Sequence, residues 1–234
     1  MTRTISFEQA VYGSFPFWDR GYAVLARSAG CRDEWVAALR LAGQRFGEPP
    51  TGAVEHRCLF ALPLPRGPWM IVGVFPQGCD DQGRPGALAF HGLFVGRWSY
   101  CWAGASPFAL APALRADWSA DDLNAELPAG RLAAQARGAE IGETHGREEG
   151  RVRAIVDAMT RRRRVVIVSS DPADALVRRV WSEVPGRVRR RASLATWAFR
   201  NDNDFDLVAV PRGAAVRYDG TELLLGMDPG EGAS

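Results

Sequence analysis

One cysteine in this sequence stands where nucleophilic chemistry would be favoured. Cys31 immediately precedes a stretch of helical periodicity, where backbone N–H groups would lower a thiol pKa. His56 or His91 could act as its base, with Asp19 or Asp80 orienting the imidazole. None of the local signatures of known cysteine enzymes surrounds it, and cysteine is among the most buried residue types. Two readings follow: a hydrolase using Cys31 with His56 or His91, and a packed thiol in a chain with no catalytic residues. The second is the expectation. His91 sits mid-strand, sharing a face with Ala89 and Leu93, which fits a satisfied core histidine.

Other chemistries are poorly served. All 29 basic residues are arginine, so no lysine is present to grip a phosphate in a P-loop or form a Schiff base. Neither GxGxxG nor GxxxxGK[ST] occurs. The three histidines, His56, His91 and His145, are far apart in sequence, and the four cysteines form no CxxC pair. The Asp80-Asp81 loop lacks the spacing of a calcium loop. No metal and no cofactor is expected.

Binding surfaces are better represented. Residues 147–200 carry 14 Arg against six acids, an excess of eight, whereas the whole chain is only +2. Such asymmetry predicts one positive face. Arg161–Arg164 follow a helical pattern and read as the charged end of a helix. Arg189, Arg190 and Arg191 precede a strand and are predicted to meet an acidic protein surface. Binding of anions or nucleic acid through segment 161–191 is the alternative. Nucleic acid is disfavoured by the near-neutral total charge and the lack of any recognised module. A second surface is the loop from Gly13 to Gly21. It holds Phe15, Phe17 and Trp18 beside Arg20, and rings in a loop must pack back on the core or meet a partner. Phe17, Trp18 and Arg20 are therefore assigned to partner binding with the arginine cluster.

The elements that must position these residues follow from periodicity. Strands are predicted at 5–12 and 22–27. A helix is predicted over 32–46, with Trp35, Leu39, Ala42 and Phe46 on one face. Cys58–Leu62, Trp69–Phe75 and Ala87–Val95 read as strands, and Trp98 to Trp102 as a helix start. Residues 104–146 lose periodicity, apart from a short helix capped by Ser119. Val152, Ile155, Val156 and Met159 mark a helix, Val165–Val168 a strand buried on both faces, and Leu176, Val177, Val180 and Trp181 a helix capped by Asp171 before Pro172. Strands at 194–199, 205–210 and 216–225 complete the pattern. The predicted fold is α+β (mixed α/β), with a mixed, mostly antiparallel sheet packed by amphipathic helices. It forms a single domain over 1–226, with an irregular excursion at 104–146 and a flexible tail at 227–234. No signal-peptide pattern opens the chain, and its longest apolar run is too short to span a bilayer. A cytoplasmic protein with reduced thiols and no membrane partner is expected.

Several short stretches, in order, carry a family resemblance. They are Gln9–Gly13, Asp19–Ser28, Arg84–Val95, Val184-Pro185 with Arg189–Thr196, and Phe205–Pro211. Together they resemble the N-terminal domain of the GTPase-associated proteins of bacterial conflict systems, across most of residues 8–211. The resemblance implies a protein that works beside GTPases as an adaptor or regulatory module, with a GTPase-containing complex as partner. It carries over no catalytic residues. Fuller members continue into further domains, so a detached domain acting in trans is expected here. Residues 12–46, with a Tyr-Gly loop, aromatics and a Trp-bearing helix, are also similar to an accessory family of type VI secretion.

Overall fold

The computed structural model describes residues 4–49, 55–133, 147–214 and 220–226. The N-terminal part holds strands β1 (Thr4–Gly13) and β2 (Ala23–Ser28), helix α1 (Asp33–Phe46), and strands β3 (Cys58–Pro63), β4 (Trp69–Cys79) and β5 (Pro85–Val95). A short helix α2 (Arg97–Trp102) is followed by three 3-10 turns and the strands β6 (Glu126–Leu127) and β7 (Gly130–Ala133). The C-terminal part runs α3 (Arg147–Thr160), β8 (Val165–Ser169), α4 (Asp174–Glu183), α5 (Gly186–Arg189), β9 (Leu194–Ala195), β10 (Leu207–Pro211) and β11 (Leu223–Gly226).

All these strands join one sheet in the order β11-β8-β10-β9-β3-β4-β5-β1-β2-β6, with β7 also paired to β1. The sheet is mixed. Its β3-to-β2 half is antiparallel, whereas β9, β10, β8 and β11 are mutually parallel and β6 runs parallel to β2. The expected antiparallel character thus describes one half only. Parallel strands need long crossovers, and α4 with α5 provides the one from β8 to β9. Leu207, Val208 and Val165–Ile167 are buried, as strands covered on both faces should be.

Helix α1 lies across one face. Its C-cap Gly47 has φ 89°, which glycine adopts without steric cost. The buried stripe is Val36, Leu39, Ala42, Gly43 and Phe46. Trp35, placed on that stripe by its spacing, is half-buried at the margin and stacks on Phe94 with ring centroids 5.5 Å apart. Phe46 meets Phe60, Phe90 and Phe199, joining the helix to both halves of the sheet. A smaller cluster of Val11, Phe15, Trp18, Leu25, Ala26, Ala89, Trp118 and Leu127 forms a second core.

Other boundaries differ from expectation. Helix α4 begins at Asp174 with Ala173 as N-cap, so Asp171 and Pro172 belong to the preceding loop. There the Asp171 N–H donates to Ser169 Oγ at 3.2 Å. Pro185-Gly186 ends α4 and at once opens α5. Ser119 does cap a turn, with Asp122 completing a reciprocal capping box. Residues 134–146 of the expected excursion and the expected tail at 227–234 lie outside the described residues. No helix among the described residues is long and apolar enough to cross a membrane.

Candidate functional site

The cysteine–histidine arrangement does not assemble. Alternation along β1 puts Gln9 and Val11 on one face and Glu8 and Ala10 on the other. Val11 pairs with His91, so His91 shares the first face. A Cβ on Gly30 would lie 2.5 Å from Glu8 Oε1, so the chain entering Cys31 runs along the second face. Burial pushes the Cys31 thiol up to about 12. Arg27 opposes that shift, and Glu8 and Asp33 add to it. The thiol is thus protonated at neutral pH, the opposite of an activated nucleophile.

His91 is buried and fully engaged. Its Nδ1 accepts from the Arg115 N–H at 2.9 Å, so Nε2 carries the proton and donates to Gln9 Oε1 at 2.8 Å. Gln9 Nε2 in turn donates to the Pro128 carbonyl at 2.7 Å. Burial, with the Arg115 guanidinium second, lowers the His91 pKa to about 3. The ring meets Trp118 edge-on, and Arg115 lies over that indole at 4.2 Å. The chain of bonds staples residues 115–128 to the sheet. His56 is held elsewhere, its Nε2 2.6 Å from Asp174 Oδ2 on α4. Cys58 lies near this pair. Burial pushes its thiol well up and the Asp174 carboxylate adds to the effect. Asp80 is tied into its own hairpin loop by Arg84 and by the N–H groups of Gln82 and Arg84.

The predicted partner residues divide. Trp18 is only 5% exposed and stacks on Phe15, so it is a core residue of the second cluster rather than a surface anchor. Phe17 is exposed, and Arg20 is exposed with its guanidinium 6.0 Å from the Trp18 ring. Arg189 is 8% exposed, so it also leaves the surface assignment. A one-turn helix such as α5 must turn one side to the core, and Val188 and Arg189 take it. Arg187, Arg190 and Arg191 are exposed. At the end of α3, Arg161 pairs with Asp157 at 2.9 Å and Arg164 with Asp204 at 3.1 Å, as the charged end of a helix should.

Sequence reasoning missed the most exposed aromatic surface. Trp98 is 80% and Trp102 47% exposed, one turn apart on α2. Between them Tyr100 is fully buried and stacks on Trp69 at 4.3 Å, fixing the helix to the sheet. Helix α2 starts where β5 ends. The pairs Trp69–Val95, Pro63–Trp69 and Ala61–Leu194 place that point at the same end of the sheet as the start of β9. The Trp181 Nε1–H donates to the Ala105 carbonyl at 3.0 Å, linking α4 to the segment after α2. The tryptophan pair and the α5 arginines thus occupy one end of the sheet.

A pocket of about 210 Å³ lies at that end. Met159, Val188 and Ala192 are its apolar lining, Arg162, Arg163 and Arg191 its cationic groups, and Asp206 its one carboxylate. Among the described residues no group of three His, Cys, Asp or Glu side chains is placed to hold a metal ion. Comparison of the chain with protein-family models, curated proteins and solved structures finds no match.

Proposed function

We propose that this chain is a non-enzymatic adaptor or regulatory module that binds a protein partner through the α2–α5 end of its sheet. The observation that carries the reading is the outward pair Trp98 and Trp102, held on a helix whose own anchor, Tyr100, is buried. Two indoles a turn apart on a fixed helix are the kind of residue that dominates binding energy at interfaces. Arg187 on α5 and Arg190 and Arg191 just after it are exposed and supply a cationic flank suited to an acidic partner surface. A thiol held protonated at Cys31 and a neutral, fully bonded His91 on the opposite face support the absence of catalysis by those groups. The resemblance to GTPase-associated proteins of bacterial conflict systems supplies the partner class, a GTPase-containing complex in the cytoplasm.

The test is affinity capture from the native host with the tagged full chain and with its W98S/W102S variant, followed by mass spectrometry. Trp98 is 80% and Trp102 47% exposed, so the variant should keep the fold, which a cooperative melting curve checks before capture. The expected result is a GTPase-bearing partner retained by wild type and lost by the variant. Recovery of no such partner, or equal recovery by both proteins, contradicts the proposal.

A further inference from the structure

We infer that the pocket of Arg162, Arg163 and Arg191 is a receptor for a carboxylate side chain flanked by an apolar residue, presented by an acidic segment of the protein partner. The inference rests on the partner-binding reading and adds the chemistry that the partner must offer. The pocket sits before the amino ends of three parallel strands: Arg162 and Arg163 precede β8, Arg191 precedes β9 and Asp206 precedes β10. Nucleotides in open α/β sheets bind at the carboxyl ends instead.

The charges are arranged for an incoming anion. Arg163 donates to the carbonyls of Thr221 and Glu222, both at 3.4 Å, which orients it. Arg162 and Arg191 form no ion pair among the described residues. Asp206 Oδ2 accepts the Ser193 N–H at 2.7 Å and its hydroxyl at 2.9 Å, so this carboxylate is committed to fixing the start of β9. Three guanidinium groups and one carboxylate leave a formal excess of two positive charges. Planar guanidinium forks match a carboxylate bidentately.

Size and lining narrow the ligand. At about 210 Å³ the pocket is smaller than the usual small-molecule site and takes a side chain or two. Met159, Val188 and Ala192 close the floor of the pocket and, at 2–6% exposed, leave a small apolar contact beside the arginines, which a bare phosphate would leave unused. The Asp206 carboxylate opposes a polyanion more than a single carboxylate. Arg162 adopts φ 62°, a left-handed conformation in which glycine is usual at a helix end. This chain thus carries an arginine at a position where glycine fits more easily.

That backbone permits a test that unfolding cannot confound. Arg162→Gly should preserve or raise the melting temperature, because glycine accepts the conformation freely. The full chain is titrated with acetyl-Leu-Glu-Leu-amide, its Gln counterpart, inorganic phosphate and a short oligothymidylate. Binding is followed by NMR at the Arg162 and Arg191 Nε–Hε groups and the Met159 methyl. The expected result is saturable movement of all three signals with the Glu peptide. Binding should weaken about tenfold or more with the Gln peptide and in the R162G and R191Q variants. Phosphate and oligothymidylate should bind more weakly than the Glu peptide. No movement with the Glu peptide, equal binding of the Gln peptide, or unchanged binding in both variants overturns the inference. Tighter binding of oligothymidylate at these signals overturns it in favour of nucleic acid, and tighter binding of phosphate in favour of a simple anion site. Loss of the captured partner in W98S/W102S with no peptide binding here would sink this inference alone and leave the adaptor reading standing.

Discussion

Replacing Trp18 separates a core role from a surface role. The indole is 5% exposed and lies in the small cluster with Val11, Phe15, Leu25 and Trp118. Truncation to alanine removes its transfer energy and leaves a cavity, about 3–5 kcal/mol for a buried aromatic. For a chain of this length each kcal/mol lowers the melting temperature by roughly 2–4 °C, so Trp18→Ala should melt about 6–20 °C below wild type. The indole N–H is buried and makes no hydrogen bond among the described residues. Such a group costs about 1–3 kcal/mol. Trp18→Phe removes that cost along with part of the ring, and its stability should stay within about 1 kcal/mol of wild type. Phe17→Ala and Arg20→Ala act on exposed side chains, and each should cost under about 1 kcal/mol, the Arg20 cation–π contact included. Calorimetry of the four variants reads these differences directly. A Trp18→Ala protein melting within about 2 °C of wild type would refute the core assignment.

Three further outcomes are expected. His91 titrates near 6.5 when unfolded and at about 3 when folded, so the unfolded chain takes up the proton first. The stability this neutral histidine confers is complete above pH 6.5 and is lost as pH falls toward 3, by up to about 1.4 kcal/mol per unit. Melting curves across that window should fall more steeply for wild type than for His91→Gln, and parallel slopes would contradict the reading. With a thiol pKa near 12, Cys31 should resist iodoacetamide at neutral pH while exposed Cys79 reacts; equal rates would show an activated Cys31. A Cβ at Gly13 would lie 2.8 Å from Ala89 Cα and 2.9 Å from the Leu88 carbonyl oxygen, backbone atoms that cannot swing aside. Gly13→Ala should therefore cost about 1–3 kcal/mol, and a variant of unchanged stability would argue against that close approach of β1 and β5.

Much of the fold was legible because its signals are local. The periodicities of α1, α3 and α4 and the continuous apolar runs of β4 and β5 each lie within one short window. The sheet's parallel half was not legible as such, because strand direction is decided by crossovers and partners rather than by the residues of Val165–Ser169 or Leu207–Pro211. The site was read less well. Arg97-Trp98-Ser99-Tyr100-Cys101-Trp102 offers three rings with no polar contrast to tell which turns inward, and only packing of Tyr100 on Trp69 decides it. The same limit applies to Trp18, whose loop position suggested exposure, and to Arg189, indistinguishable in type from Arg190 and Arg191. The His56–Asp174 contact joins residues 118 positions apart, beyond any spacing rule. Cys31 packs as its residue type suggests, and burial there outweighs the opposing charge of Arg27.

The most direct test of the docking account is hydrogen–deuterium exchange of the full chain, alone and with its captured partner. The account predicts protection on binding at 97–106 and 186–192, with residues 14–22 unchanged. Protection confined to 14–22, or to the α1 surface, would contradict it.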